Sequence, residues 1–308
     1  MTYKTKPKKD MRRQPPPGWQ DPLRQQNPLI SGRWLLRAVG ITVAIAFVCG
    51  YLTLCLLFYQ GRWQLIFHPS SQAVTSNPSS TYEAVAFDAT ETGQPQLSGW
   101  WVPAKDGAQY ADSTVLYLHG ASGSLSETVP GIERLNRLGI NVFAIDYRGF
   151  GHSMALHPSE QSVYEDADAA ITYLTVTRKL NIRNIVLYGS GLGATVAAEM
   201  AARHPEIPAL ILEDPVAPAL DQIAGDRRTS LIPVRLLVAD RFDLGAKLQT
   251  LKTPKLLLEL GTGSEKGRSK RLFDEAAPPK MMADISASGT ESAAYDETLR
   301  RFLDERKK

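Results

Sequence analysis

An uncharged apolar run near the N-terminus constrains this chain more than any other feature, because few folds accommodate a run of that length. Residues 38–59, AVGITVAIAFVCGYLTLCLLFY, contain no charged side chain. As a helix the run would be about 33 Å long, enough to cross the hydrocarbon core of a bilayer. We predict a transmembrane helix over 34–61, with Trp34, Tyr59 and Trp63 in the interfacial zones where aromatic side chains concentrate.

A cleaved signal peptide and a buried core helix are the alternative interpretations of this run. The run is longer than the apolar region of a signal peptide, the segment before it is too long, and no small-x-small cleavage site follows. A core helix in a soluble domain shows polar positions at helical spacing, and this run shows almost none. The sequence therefore favours a spanning helix, with the membrane as a partner.

The segment before the run is basic and rich in proline. Nine Lys or Arg side chains precede Ala38 against Asp10 and Asp21, so we predict a disordered tail over 1–33. The positive-inside rule then predicts a cytoplasmic N-terminus and an extracytoplasmic globular domain, whereas a translocated tail would reverse that orientation. The rest of the chain is slightly acidic, which argues against a nucleic-acid partner.

The remaining chain is predicted to comprise an exit segment and linker over 62–81 and a globular domain over 82–308. Both cysteines, Cys49 and Cys55, lie in the apolar run, so the globular part has neither a disulfide nor a cysteine nucleophile. No metal-ligand spacing is found, and no cofactor is predicted. The stretch from about 216 to 251 is a mixed helical insertion, predicted to form a small cap.

Short β-branched runs alternate with helical patterns throughout the globular part. STVLYLHG, INVFAIDYRG, IRNIVLYG, PALILED and TPKLLLELG are predicted strands, each followed by a helical stretch. This alternation is typical of an α/β protein with a mainly parallel sheet and helices on both faces. Such sheets bind their ligands at the carboxyl ends of the strands.

One strand passes into a helix through glycines, in the order Gly189, Ser190, Gly191, Leu192, Gly193. A strand–turn–helix of the pattern Gly-x-nucleophile-x-Gly is the nucleophile elbow, in which a strained central residue lifts its side chain over the helix N-terminus. Aligned on Gly189 and Gly193, the nucleophile position is Gly191.

Several motifs, in a fixed order along the chain, resemble those of a known family. FHPS, LSGWWVPA, VLYLHG, FAIDYRGFGHS, the elbow and PVRLLVADRFD occur in the order found in the α/β-hydrolase superfamily, and the chain resembles its single-span membrane-anchored members, the serine-aminopeptidase-like and acyl hydrolases. The resemblance covers most of residues 64–305. It implies an α/β-hydrolase fold with a mainly parallel eight-stranded sheet and a small helical cap.

The resemblance also implies a catalytic triad whose three positions are all changed here. A serine nucleophile, a late acid and a C-terminal histidine are the family pattern, and Gly191, Ser264 and Thr290 occupy those positions. No histidine follows His204, so no shift of alignment supplies the missing base. The triad is therefore predicted to be degenerate.

Three polar residues are candidate substitutes. Ser190 is a candidate nucleophile, His119 a candidate base and Asp214 a candidate acid, although each has an ordinary structural interpretation. Asp146 and Arg148 are predicted to form a structural ion pair. By resemblance, His119 and Gly120 shape the loop that donates an oxyanion-hole N–H, and the N–H groups of the pocket come from Ala121 and Leu192.

Two functions remain open at this point. The favoured one is a membrane-tethered pseudo-hydrolase that binds a lipid, an acyl or ester-type ligand or a protein partner. The alternative is an active membrane-bound serine hydrolase, of esterase, lipase or peptidase type, with a rearranged site such as Ser190 with His119.

Overall fold

The computed structural model describes residues 18, 31–70, 77–78, 81–89, 93–261, 267–285 and 291–306. The chain divides into two compact units, Met1–Leu54 and Cys55–Lys308. Helix α1, Gly32–Gly61, contains the apolar run, and none of its side chains is buried. It is the one helix of the described residues that is long and apolar enough to cross a membrane, a description that an N-terminal signal sequence would also meet.

The second unit is built on ten strands: β1 His68–Pro69, β2 Glu83–Ala89, β3 Pro95–Val102, β4 Tyr110–Leu118, β5 Ser122–Gly123, β6 Ile140–Asp146, β7 Ile185–Ser190, β8 Ala209–Glu213, β9 Lys255–Glu259 and β10 Lys280–Asp284. Eight of them form one sheet in the order β10-β9-β8-β7-β4-β6-β3-β2, and β1 pairs with β5. In the large sheet β3 runs antiparallel to β2 and β6, and every other pair is parallel. The predicted eight-stranded, mainly parallel sheet is confirmed.

The parallel strands are covered on both faces, as their nearly continuous apolar sequences require. The helices after α1 are α2 Leu125–Arg137, α3 Glu160–Thr172, α4 Gly193–Arg203, α5 Ala219–Gly225, α6 Val234–Leu237, α7 Leu244–Leu248, α8 Arg268–Glu275 and α9 Glu291–Arg306. Helices α2 and α9 pack on one face of the sheet. Helices α3, α4 and α7 pack on the other face.

Three local features differ from the sequence-based expectation or were not anticipated by it. The helical stretch predicted after INVFAIDYRG ends as α3 at Thr172 and continues as a π-helical turn, Tyr173–Thr177. The insertion after β8 is broken into α5, a 3₁₀ turn over Arg227–Thr229, and α6. The β1–β5 pair joins the segment after α1 to the loop after β4. Its partners, such as His68 and Ser122, are far apart in sequence, so the pairing was not anticipated.

Candidate functional site

The glycine turn between β7 and α4 has the geometry of a nucleophile elbow. A Cβ atom at Gly189 would overlap the carbonyl of Gly193, and one at Gly193 would overlap the carbonyl of Leu118 on β4. These two positions therefore require glycine, because the strand and the helix approach each other backbone to backbone.

Gly191, at the centre of the turn, is different. Its φ is +58°, in the left-handed region. A Cβ atom there would meet nothing closer than Gly120 Cα at 3.8 Å and Val216 Cγ1 at 3.9 Å. Position 191 thus has room for a side chain, which would project between the loop after β4 and the insertion after β8.

A pocket of about 400 Å³ opens at Gly191. Its volume is within the range of small-molecule sites. Four parts of the chain supply the walls: the segment after α1 (Leu65, Ile66, His68), the loop after β4 (Gly120, Ala121, Ser122), the elbow (Gly191, Leu192) and the insertion (Val216, Ala219, Gln222). Most of these side chains are apolar or small, so the pocket suits a ligand with an apolar part.

Two backbone N–H groups at the pocket are available to a ligand. Within the described ranges, no hydrogen-bond acceptor contacts the N–H of Ala121 or of Leu192. Leu192 is the residue before the first turn of α4, where backbone N–H groups and the helix dipole favour negative charge. The loop that carries Ala121 is held in place because His68 N donates to the Ala121 carbonyl at 2.8 Å.

The segment after α1 is a part of the site that sequence reasoning missed. His68, assigned no function from sequence, lines the pocket, and its register partner in the β1–β5 pair is Ser122, which also lines it. The FHPS motif was the available signal, but a two-residue strand is too short to be recognised from an alternating pattern.

His119 is buried beneath the pocket loop. Its Nδ1 lies 2.7 Å from the Gly120 carbonyl oxygen, which can only accept, so Nδ1 carries the proton. Its Nε2 lies 3.9 Å from Asp146 Oδ1 and makes no hydrogen bond within the described structure. Burial lowers the pKa of this imidazole below its ordinary value of 6.5, which keeps the ring neutral.

Ser190 faces a different part of the molecule. Its Oγ donates to Glu213 Oε1 at 3.2 Å, and Tyr188 donates to the other oxygen of the same carboxyl group. Burial raises the pKa of Glu213. Ser190 is not among the residues that line the pocket, and its hydroxyl makes no hydrogen bond with His119. The structure therefore does not bring these two predicted substitutes together.

Asp214 directly follows β8, and its side chain contacts the backbone that follows β9. Its Oδ1 accepts from Leu260 N at 2.8 Å and from Gly261 N at 3.1 Å. Its φ is +41°, an uncommon conformation for a residue other than glycine. These contacts describe a carboxylate that shapes a turn, and no histidine is among its hydrogen-bond partners in the described chain.

Ser264 and Thr290 lie outside the described residues, as do 262–266 and 286–290 around them. The strands that precede them, β9 and β10, run parallel to β7 through the sheet. The carboxyl ends of these two strands, Glu259 and Asp284, therefore lie at the same edge of the sheet as the elbow.

The predicted ion pair between Asp146 and Arg148 was wrong. Arg148 pairs with Asp166 of α3 through its Nε, and its backbone N donates to the same carboxyl group at 2.7 Å. Asp146 instead accepts from Leu125 N at 2.9 Å, the first N–H of α2. The DYRG turn directs the Arg148 side chain towards α3 and the Asp146 side chain towards α2. The spacing of the two residues in sequence does not indicate these directions.

No group of three or more His, Cys, Asp or Glu residues is arranged to hold a metal ion in the described parts of the chain.

A mainly parallel eight-stranded sheet with a glycine elbow after a central strand, and a pocket above it, defines a protein of the α/β-hydrolase class. Comparison with known proteins agrees. The chain belongs to the alpha/beta hydrolase fold family, whose sequence model matches residues 113–307.

Relatives of this chain include two proteins that are named as uncharacterized. The protein Rv2307c of Mycobacterium tuberculosis is 28% identical over 278 residues, covering 87% of this chain and 96% of its own. YfhR of Escherichia coli K12 is 30% identical over 154 residues, covering 49% of this chain and 53% of its own.

Solved structures support the fold alone, because their sequence identities are low. The esterase Pf2001 of Pyrococcus furiosus has a TM-score of 0.58 at 22% identity and covers 78% of this chain and 97% of its own. An alpha-beta hydrolase of Vibrio vulnificus has a TM-score of 0.56 at 22% identity and covers 73% of this chain and 79% of its own.

Proposed function

We propose that this protein is a membrane-anchored α/β-hydrolase-fold protein that binds an acyl or ester-type ligand, or a protein partner, without hydrolysing it. Gly191 carries the proposal. It has the left-handed conformation of an elbow residue and faces the pocket, but it has no side chain to act as a nucleophile. At the other two positions implied by the resemblance, Ser264 and Thr290 have hydroxyl groups where an acid and a base are needed.

The histidines support the same proposal. The chain has five, and none follows His204. His119 is enclosed by the rings of Tyr147 and Phe150, at centroid distances of 4.5 and 5.0 Å. A base must reach the proton that it removes, and a fully buried imidazole has no such access.

The pocket keeps what a bound carbonyl or carboxylate needs. The free N–H groups of Ala121 and Leu192 are backbone donors, so they do not depend on side-chain identity. The neighbouring apolar walls suit an acyl chain or an ester substituent. Loss of the triad therefore removes the chemistry and leaves a binding site.

Membrane anchoring by α1 is the second part of the proposal. Its support is the long uncharged run with no buried side chain. The basic residues before Ala38 favour a cytoplasmic N-terminus and an extracytoplasmic globular domain. Protease protection tests this orientation. The globular domain should be digested in right-side-out vesicles and protected in inverted vesicles.

An active serine hydrolase with a rearranged site is the second candidate function. The observation that favours it is the neighbouring pair Ser122 and His68, both of which line the pocket close to the Ala121 N–H. Against it, their side chains share no hydrogen bond in the described structure. Catalysis by Ser190 with His119, the pair suggested by sequence, would require both side chains to move. Ser190 would have to leave Glu213, and His119 would have to leave the Gly120 carbonyl.

Covalent labelling of the full chain in detergent micelles tests catalysis. The proposal expects neither labelling by a fluorophosphonate probe nor turnover of an activated ester. Labelling at Ser122 that is lost in Ser122→Ala and weakened in His68→Ala would establish the second candidate. Labelling at Ser190 that is lost in Ser190→Ala would equally overturn the non-hydrolytic proposal.

Binding is tested separately with a photoreactive fatty acid. We expect crosslinks to pocket residues, and loss of crosslinking in Val216→Trp, which places an indole beside Gly191. Val176→Trp is the matched control, since Val176 is 68% exposed and does not line the pocket. Equal crosslinking of both variants would contradict an acyl ligand at this pocket.

A further inference from the structure

The insertion between β8 and α7 exposes two leucines to an unusual degree. Leu231 is 78% exposed and Leu236 is 83% exposed, more than any other large apolar side chain of the described residues, α1 included. Single exposed apolar residues are ordinary on protein surfaces. Here, however, the two leucines share a short segment and its neighbours hold it firmly: Val234 and Val238 are 5% and 3% exposed and pack into the core.

Basic side chains accompany these leucines. Arg227, Arg235 and Arg241 are exposed, and none of them forms an ion pair within the described residues. We call Arg227, Leu231, Arg235, Leu236 and Arg241 the insertion face. Asp240 is 6% exposed and accepts from Glu160 N at 2.7 Å, so the exposed acidic side chains of the insertion are Asp221 and Asp243.

The insertion is held against the segment that leaves α1. Arg62 directly follows the last residue of α1, and its Nε lies 3.8 Å from Asp240 Oδ2. Within the insertion, the carbonyl of Arg241 accepts from Ala219 N at 3.0 Å, which joins its last residues to the start of α5. A bilayer that contains α1 therefore has its surface near the insertion, because Arg62, which makes this contact, is the first residue after the helix.

We propose that the insertion face docks on an anionic lipid surface. Leu231 and Leu236 enter the headgroup layer, and the three arginines contact lipid phosphates. Apolar side chains rimmed by unpaired cations are the composition of an interfacial membrane-binding element. The inference rests on the anchoring part of the proposed function and is independent of the loss of catalysis.

Docking has a consequence for the pocket. Val216, Ala219 and Gln222, from the same insertion, form one of its walls, and Leu65 and Ile66, from the segment after α1, form another. A docked insertion face therefore places both walls beside lipid, so that an acyl ligand reaches the pocket from the bilayer rather than from bulk water.

Site-directed spin labelling of the full chain in nanodiscs with one copy each tests the docking. A nitroxide at Leu236→Cys, with Cys49→Ser and Cys55→Ser, reports immersion as the ratio of its accessibility to oxygen and to a water-soluble nickel complex. Val176→Cys in the same background is the exposed apolar control. Native Cys49, kept in a Cys55→Ser variant, reports whether α1 lies in the bilayer.

In nanodiscs that contain phosphatidylglycerol we expect the label at 236 to be immersed and the label at 176 to be aqueous. Replacing Arg227, Arg235 and Arg241 by Gln should weaken immersion, each arginine contributing about a fivefold change in partitioning at low salt. Immersion should also fall in phosphatidylcholine alone.

Three results would overturn the inference. An aqueous label at 236 with an immersed label at Cys49 refutes docking and leaves anchoring intact. An aqueous label at Cys49 refutes the anchoring on which docking rests. Equal immersion in both lipids, unchanged by the Arg→Gln replacements, refutes recognition of an anionic surface.

Discussion

The Oγ atom of Ser190 donates to Oε1 of Glu213 at 3.2 Å, on the side of β7 that also carries Tyr188. Alternate residues of a strand point to the same side, so Ser190 shares the layer of Tyr188 and Tyr295, whose hydroxyl groups lie 2.9 Å apart. This serine belongs to a polar network at the carboxyl end of β7, and its neighbour Gly191 occupies the position that faces the pocket.

Ser190→Ala should therefore affect stability and leave ligand binding unchanged. Removing the hydroxyl leaves one oxygen of the buried Glu213 without this donor, at a cost of about 1 kcal/mol of unfolding free energy. Thermal unfolding in micelles measures the loss, and fatty-acid crosslinking measures binding. Ser122→Ala is the control at the pocket. A loss of crosslinking in Ser190→Ala with unchanged stability would contradict this assignment.

The elbow glycines should differ in their response to alanine. Gly191→Ala meets no close atom and should cost only the left-handed strain, about 1–2 kcal/mol. Gly267→Ala is the matched control, since Gly267 has a φ of +80° and open space around it. Gly193→Ala should cost far more, because its Cβ overlaps the Leu118 carbonyl. Equal unfolding temperatures for Gly191→Ala and Gly193→Ala would contradict the elbow geometry.

Stability should fall in acid through His119. Burial lowers the pKa of this imidazole in the folded protein below the ordinary 6.5, despite the opposing effect of Asp146 and Glu127. The unfolded chain then binds the proton more readily, so this contribution is fully present above about pH 6.5 and is lost as pH falls below that value. Unfolding midpoints from pH 5 to 8 measure the slope.

The His119→Phe variant should flatten that slope, since its aromatic neighbours accept a phenyl ring and no proton binds there. His152→Ala is the control at an exposed histidine and should keep it. A slope that survives His119→Phe would assign the acid sensitivity to another group.

The ion pair between Arg148 and Asp166 should be a major contributor to stability. The Asp166 side chain is fully buried, so Arg148→Ala strands a carboxylate and should cost about 3–5 kcal/mol. Adding Asp166→Asn should recover part of the loss, because a neutral amide is less costly to bury. Arg301→Ala, from an exposed pair with Glu305, should cost less than about 1 kcal/mol. Similar losses for the two arginines would refute the importance of burial.

Introducing triad side chains at the three positions that the resemblance assigns to them should confer hydrolysis. Gly191→Ser, Ser264→Asp and Thr290→His supply a nucleophile, an acid and a base, and we expect fluorophosphonate labelling at position 191 and turnover of an activated ester. Gly191→Ser alone is the control and should remain far less active, since a serine without its base loses about 10⁶ in turnover in a well-studied hydrolase. Equal activity of the single and triple variants would show that the base lies elsewhere in the pocket.

The fold was predictable because its signals are local or periodic. The alternation of apolar runs with helical patterns predicted the sheet, and the spacing of Gly189, Gly191 and Gly193 predicted the elbow with the correct strand before it and helix after it. The β1–β5 pair carried a weaker signal, since its two strands are distant in sequence.

Side-chain direction accounts for the differences at the site. Arg148 meets Asp166 instead of Asp146, Ser190 meets Glu213 instead of His119, and His68 reaches the pocket from a segment predicted only to be an exit and linker. Each contact joins residues that are distant in sequence and adjacent only in the folded protein, so the local sequence around either residue does not predict it.

By itself, the sequence determined the long apolar helix, the α/β class, the glycine at the centre of the elbow and the absence of any histidine after His204, because these depend on residue identity and near-neighbour spacing. Only the tertiary structure decided which face Ser190 occupies, which N–H groups remain available above α4, and that the segment after α1 and the basic, leucine-bearing insertion build the same pocket. Those features depend on long-range packing, in which a neighbour is chosen by the geometry of the whole sheet.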